Sequence, residues 1–145
     1  MSKLNDIEAR KKLAFELLDA AGYLERRLDR AISTIRGISF SEYRLLRDLA
    51  QRPEARAMRV ELAQAVGLTP SAITRALKPL EKLGYVETLK SDWDARRSLA
   101  CLTSGGQELL SDAEGVARDV LLGLPLDSLA SVGLEGFLRQ VGERV

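Results

Sequence analysis

Apolar positions recur along most of this chain at spacings of three and four residues, the period of a helix face, and only short runs read as strand. Within residues 5 to 36, Leu17, Ala21, Leu24, Leu28, Ala31 and Ile35 alternate at four and three, with no proline and with Gly22 as the one internal weak point. This predicts one long helix whose seam needs another helix, from this chain or a second copy, because so long a helix has no core of its own. Arg26, Arg27 and Arg30 fall on its polar side and read as a solvated face. Ser39-Phe40-Ser41-Glu42 forms a capping box with Ile38 and Tyr43 as a hydrophobic staple, so a second helix starts at about residue 40 and runs through Leu45, Leu46 and Leu49. Gln51 to Ala57, with Pro53, reads as a loop, and Ala57 and Met58 are placed to add a short strand.

The chain is organised around residues 58 to 84, where two short helical patterns meet at Gly67-Leu68-Thr69-Pro70 with barely a turn between them. Leu62, Ala63 and Val66 share one face of the first helix, and Gly67 follows where a left-handed residue ends a helix at least cost. Thr69 caps the second helix and Pro70 suits its first position, where no donor is needed. Ile73, Leu77 and Leu80 form that helix's core stripe, while Ser71, Ala72, Thr74, Arg75 and Lys78 look outward. Small side chains near a helix N-terminus let the backbone approach a duplex, and two cations one turn further on suit a major-groove face. The competing reading is an ordinary helical hairpin in a bundle. Ala63 faces the crossing point, where a larger side chain would push the helices apart. Pro79 removes the bond to the Arg75 carbonyl and predicts a bend or tight turn inside this helix, which limits how far Lys82 follows a groove.

Beyond Gly84, residues 85 to 90 and 98 to 102 are strand-like runs joined by the polar residues 91 to 97, which predicts a hairpin. A hairpin directly behind a helix-turn-helix is a wing, with Arg96 and Arg97 in reach of an adjacent minor groove. Asp94 is placed to hold the Arg96 guanidinium through a charge-assisted bond; the alternative is a solvated turn with a structural ion pair. Thr103 caps a helix over about 104 to 122, in which Leu109, Ala113, Val116 and Val120 form another seam. Pro125 separates it from a last helix over about 126 to 143, weakened by Gly133 and Gly136. The seams at 17 to 35 and 109 to 120 expose more apolar surface than a lone wing domain covers, which predicts an obligate dimer.

With 145 residues, the chain is long enough for one domain, or for one domain with appended dimerisation helices. No apolar run approaches the roughly 20 residues of a membrane span. Lys11, Lys12 and Glu16 interrupt the start where a signal peptide would carry its core, so the expected location is the cytoplasm, with no membrane partner. Cys101 stands alone and histidine is absent, so zinc sites and Ser-His or Cys-His chemistry lose their usual parts; no enzyme, metal or cofactor is expected. Cys101, in a strand beside Leu102, reads as a small core residue rather than a redox centre. Net charge is +1, yet residues 36–103 hold 12 basic and 8 acidic groups while residues 104–145 hold 3 and 7. Positive charge therefore gathers around the helix-turn-helix, as phosphate binding requires, although chance clustering of solvated charges gives the same count.

The order long helix, capped helix, helix-turn-helix, wing and two terminal helices resembles the MarR family of bacterial winged-helix regulators. VELAQAVGLTPSAITRALKPLEKLGYVE is similar to that family's central segment, and SDWDARRSLACLTSGG to its wing, with Asp94 and Arg96 as the Asp-x-Arg and Leu102, Thr103 and Gly106 as the Leu-Thr-x-x-Gly. The resemblance covers about residues 38 to 122 well and the ends only by helical character. It implies a mainly α fold with a small β-hairpin wing: a dimerisation helix over 1–36, a winged helix-turn-helix over 37–103, and C-terminal dimerisation helices over 104–145. It further implies a homodimer on a pseudopalindromic operator in double-stranded DNA, with Ser71, Ala72, Thr74, Arg75 and Lys78 as the recognition face and Arg96 as the wing arginine. Such regulators usually block transcription and are released by a small aromatic or anionic effector, or by cysteine oxidation. A winged-helix adaptor or antirepressor acting through protein contacts is the alternative; its mark would be acidic or bulky apolar residues on the recognition face.

Overall fold

Helix α1 (Ile7–Arg36) runs for 30 residues, capped by Asp6, whose carboxylate accepts from the Glu8 N–H at 3.0 Å, and ended by Gly37 at φ +70°. The structure is a computed structural model and describes residues 6–90, 97–129 and 133–142, without the side chains of 35 and 36. Next comes α2 (Phe40–Gln51), where the capping box forms as the pattern requires: Ser39 Oγ accepts from the Glu42 N–H at 3.1 Å and the Glu42 carboxylate from the Ser39 N–H at 3.0 Å. Ile38 and Tyr43 are both buried beside it. Asp29 of α1 accepts from the Phe40 N–H at 2.8 Å, which fixes where α2 leaves α1.

A 3₁₀ turn, Pro53–Ala55, leads into strand β1 (Arg56–Met58), and then come α3 (Arg59–Val66), α4 (Pro70–Lys82), β2 (Val86–Leu89), β3 (Leu99–Leu102) and α5 (Ser104–Leu122). The sheet has the order β1-β3-β2, antiparallel throughout, with Ala100 of β3 opposite Ala57 on one side and Thr88 on the other. Ala57, Val86 and Ala100 are buried, and α2 packs on β1 and β3; small residues there let helix and sheet close without a void. The core joins Leu45, Leu46 and Leu49 of α2 to Leu62, Ile73, Leu77 and Leu80 of the two short helices and to Leu109 and Ala113 of α5.

Three expectations need correction. The α5 seam does not face outward: Leu109 and Ala113 are wholly buried and Val116 and Val120 partly so, because α5 packs on α1 and α2 of its own chain. Of its large apolar side chains only Leu121 and Leu122, at its end, stay exposed. Along α1 the seam divides. Leu28 is buried, Leu17, Leu24 and Ala31 half-buried and Ala21 exposed, while the Ile35 side chain lies outside the described residues. Ile32, which the four-three pattern skipped, is fully buried. The last helix is also shorter than its apolar residues suggest. Leu126–Leu129 form a 3₁₀ turn and α6 spans only Leu134–Gly142, after Gly133 at φ +76°; a glycine there leaves the helical region at little cost. Phe15 and Leu18 of α1 and Phe137, Leu138 and Val141 of α6 all remain exposed.

Candidate nucleic-acid interface

The tight junction between α3 and α4 is built as its sequence dictates. Gly67 adopts φ +71°, the Leu68 N–H donates to the Ala63 carbonyl at 2.9 Å, Thr69 Oγ1 accepts from the Ala72 N–H at 3.2 Å, and Pro70 opens α4. Ala63 is buried at the crossing. Ile73, Leu77 and Leu80 are fully buried and hold α4 down, so the opposite side faces solvent. Ser71, Arg75 and Lys78 are exposed there, with Ala72 and Thr74 half-buried at the edges of the face. The Thr74 hydroxyl donates to the Pro70 carbonyl at 3.1 Å. Among the described residues neither Arg75 nor Lys78 is held in an ion pair, so both cations are available. No acidic or bulky apolar side chain interrupts this face between Pro70 and Lys78. Pro79 does not end the helix: α4 continues to Lys82 with no tight turn. One bond is lost near the end, and the buried Leu77 and Leu80 anchor the backbone on both sides of it.

Strands β2 and β3 form the expected hairpin behind α4. Asp94 and Arg96 lie outside the described residues; Arg97 is described and exposed at the foot of β3. The motif before α5 proves structural. Thr103 Oγ1 donates to the Gly84 carbonyl at 2.6 Å and accepts from the Gly106 N–H at 3.0 Å, so one hydroxyl ties the start of α5 to the turn that ends the helix-turn-helix.

Two charged groupings escaped the sequence reading because their members are far apart in the chain. Arg52, at the end of α2, bonds Asp48 at 2.7 Å and reaches both the carboxylate and the carbonyl of Glu61 in α3, at 3.4 and 3.3 Å. Arg59 of α3 reaches Glu81 of α4 at 3.4 Å and Thr88 of β2 at 3.3 Å, while the Thr88 hydroxyl also donates to Glu81 in a short hydrogen bond. The Arg59 Nε is buried without an acceptor.

A cavity of about 460 Å³ opens where α1, α2 and α5 meet, with Leu28, Phe40, Tyr43, Ala117, Leu121 and Leu122 as its apolar wall and Arg44, Arg47, Glu114 and Arg118 as its charged members. Phe40 and Tyr43 stack with ring centroids 6.0 Å apart, the Arg44 guanidinium lies over Phe40 at 6.0 Å, and Arg47 stands 3.8 Å from Glu114. Burial, and then a hydrogen bond with Glu114, push the Tyr43 phenol up to about 12. The cavity thus joins an aromatic wall to guanidinium groups. No motif marked it, since its walls come from three separate helices. Cys101 is buried in the middle strand, and its thiol is raised above the ordinary value mainly by that burial, as befits a core residue. No set of His, Cys, Asp and Glu able to hold a metal exists among the described residues.

Residues 38–98 match the model of the MarR family. The HTH-type transcriptional repressor Rv2887 of Mycobacterium tuberculosis is 32% identical over 106 residues, 73% of this chain and 74% of that one. The chain belongs to the MarR family. Sco3205, a MarR-family transcriptional regulator of Streptomyces coelicolor solved in complex with DNA, superposes with a TM-score of 0.81 at 29% identity, over 98% of this chain and 91% of that one. The solved complex of Rv2887 with p-aminosalicylic acid superposes with a TM-score of 0.63 at 30% identity, over 90% of this chain and 96% of that one. The mainly helical fold with a small three-stranded sheet is thus that of the MarR winged-helix regulators.

Proposed function

We propose that this MarR-family regulator is a sequence-specific repressor that binds a pseudopalindromic operator in duplex DNA as a homodimer. The observation that carries the reading is the outward face of α4: Ser71, Ala72, Thr74, Arg75 and Lys78 on a helix held by a buried stripe, with both cations free of ion pairs among the described residues. Its N-terminal residues enter the major groove, with Arg75 placed to reach a base edge and Lys78 a phosphate. Arg96 and Arg97 lie against the flanking minor groove, with Asp94 orienting Arg96. The complex of Sco3205 with DNA, similar over nearly the whole chain, supports DNA binding, and the repressor named at 32% identity supports the sign of regulation.

Residues 37–103 serve as the DNA-binding head, and 1–36 with 104–145 join two copies. The first half of α1 and α6 supply the joining surface, since their exposed Phe15, Leu18, Phe137 and Leu138 are larger apolar groups than a lone chain leaves in water without use. A small aromatic acid in the cavity between α1, α2 and α5 acts as the releasing effector. Its ring stacks by Phe40 and Tyr43, its carboxylate meets Arg44 or Arg47, and it changes the spacing of α2 against α1 and α5. The p-aminosalicylic acid complex of Rv2887 supports this class of ligand.

Selection of bound sequences from a random duplex pool tests the reading. It should enrich an inverted repeat with half-site centres about 10 base pairs apart, or a multiple of that. Loss of the complex on adding aromatic acids would identify the effector class. Failure to enrich any sequence would refute the proposed function.

A further inference from the structure

Three elements that the DNA-binding reading uses meet at one carboxylate oxygen. Glu81 Oε1, on α4, accepts from the Arg59 guanidinium of α3 at 3.4 Å and from the Thr88 hydroxyl of β2, and the same guanidinium nitrogen donates to Thr88 Oγ1 at 3.3 Å. The side chains are largely shielded, Arg59 at 23% and Glu81 at 31% exposure. Between Glu81 and Thr88 the chain turns through Gly84 at φ +82°, so the side-chain bonds close a seven-residue span across the turn that joins α4 to β2. For a device meant only to hold the fold the arrangement is wasteful. The Arg59 Nε is buried with no acceptor, and an apolar side chain would fill that space without an orphaned donor.

We propose that Arg59, Glu81 and Thr88 form a clamp that sets the angle of the β2–β3 hairpin to the recognition helix, making them positioning residues for DNA binding. The proposal rests on the DNA-binding reading above. Thr88 sits opposite Ala100 and one residue before β2 ends at Leu89, so its bonds anchor β2 close to the end of the strand. Held this way, α4 and the hairpin reach adjacent grooves together, and the ordering entropy of the hairpin is not lost again on binding. Charge gives the proposal a sign of its own. Glu81 lies one turn beyond Lys78 on the helix that faces phosphates. Plain electrostatics makes removal of its negative charge strengthen DNA binding, whereas loss of the clamp weakens it.

The test uses the full chain and a duplex selected from a random pool by the wild-type protein, both at full length and trimmed of the base pairs flanking the half-sites. Binding is read by fluorescence anisotropy, with circular dichroism confirming the fold. Thr88→Val, which removes only the hydroxyl, should weaken binding to the full duplex by about three- to tenfold, the effect of one net hydrogen bond. Glu81→Gln should weaken it as well, and Thr88→Ser should restore binding to within about twofold of wild type. On the trimmed duplex, where the hairpin has nothing to reach, the variants should match wild type. Unchanged binding by Thr88→Val, tighter binding by Glu81→Gln, or equal losses on both duplexes would each overturn the clamp. Should Thr88→Val unfold, Glu81→Gln on the same two duplexes decides. A wild-type chain that selects no sequence would instead refute the DNA-binding reading, and the clamp with it.

Discussion

Gly106 gives the sharpest structural prediction. It lies buried in the first turn of α5, where an added Cβ would stand 2.1 Å from the Tyr85 carbonyl oxygen, 2.6 Å from Leu102 Cδ1 and 3.0 Å from the Tyr85 carbonyl carbon. Carbon atoms normally rest at about 3.5 Å from such neighbours, so Gly106→Ala forces α5 and the start of β2 apart by about 1 Å. That shift strikes a hydrogen-bonded junction: the Thr103 N–H donates to the Tyr85 carbonyl at 3.1 Å, and Thr103 Oγ1 bridges the Gly84 carbonyl and the Gly106 N–H. Overpacking costs about 1–3 kcal/mol, and each strained hydrogen bond adds about 1 kcal/mol. Alanine's better helix propensity returns about 1 kcal/mol, leaving a net loss of roughly 3 kcal/mol. Urea unfolding at fixed protein concentration measures it, and the melting temperature should fall by roughly 10 °C. Gly115→Ala, on the same helix with nothing within 4 Å of the added Cβ, is the control and should stabilise by about 0.5–1 kcal/mol. If Gly106→Ala lies within about 1 kcal/mol of wild type, the junction yields more easily than its geometry implies and the reasoning fails.

Three other outcomes follow from the site and its supports. Arg75→Ala should weaken binding to a selected operator by about 1–3 kcal/mol and relax its base preference, while Lys78→Ala should lower affinity for all sequences and flatten the salt dependence; equal losses on operator and random DNA in both variants would show that Arg75 reads no base. Glu54 and Ala55 hold consecutive left-handed conformations, φ +57° and +51°, so Glu54→Gly should stabilise by about 0.5–1 kcal/mol in urea unfolding. A loss would mean that the ion pair of Glu54 with Arg56 outweighs the strain. The Tyr43 phenol is pushed up to about 12 in the folded chain from the ordinary 10. Its contribution to stability is therefore complete below pH 10 and lost as pH rises through about 12, because the unfolded chain ionises first. Alkaline unfolding of Tyr43→Phe should lack that part of the pH dependence, and an unaltered profile would show that burial does not suppress ionisation there.

The outward face of α4 was legible because its cause is local. A glycine after Val66, a threonine and proline before Ser71 and a stripe at Ile73, Leu77 and Leu80 fix where two helices stop and start and which side of the second faces water. The same holds for the capping box at Ser39 and Glu42 and for the antiparallel runs around the wing, all of which depend on neighbours within a few residues. Whatever required partners distant in the chain was decided only by the tertiary structure. A four-three pattern marks α5 as having an apolar seam without saying that α1 and α2 of the same chain cover it, and Ile32 became core through what α1 packs against rather than through its place in a repeat. Nothing local marks Arg59, Glu81 and Thr88, because their common oxygen exists only once α3, α4 and β2 have converged. The cavity of Phe40, Tyr43, Arg44 and Glu114 is likewise a product of packing. Local periodicity and capping select elements over a few residues of chain, whereas burial and ion pairing between elements depend on distances that only the assembled fold sets.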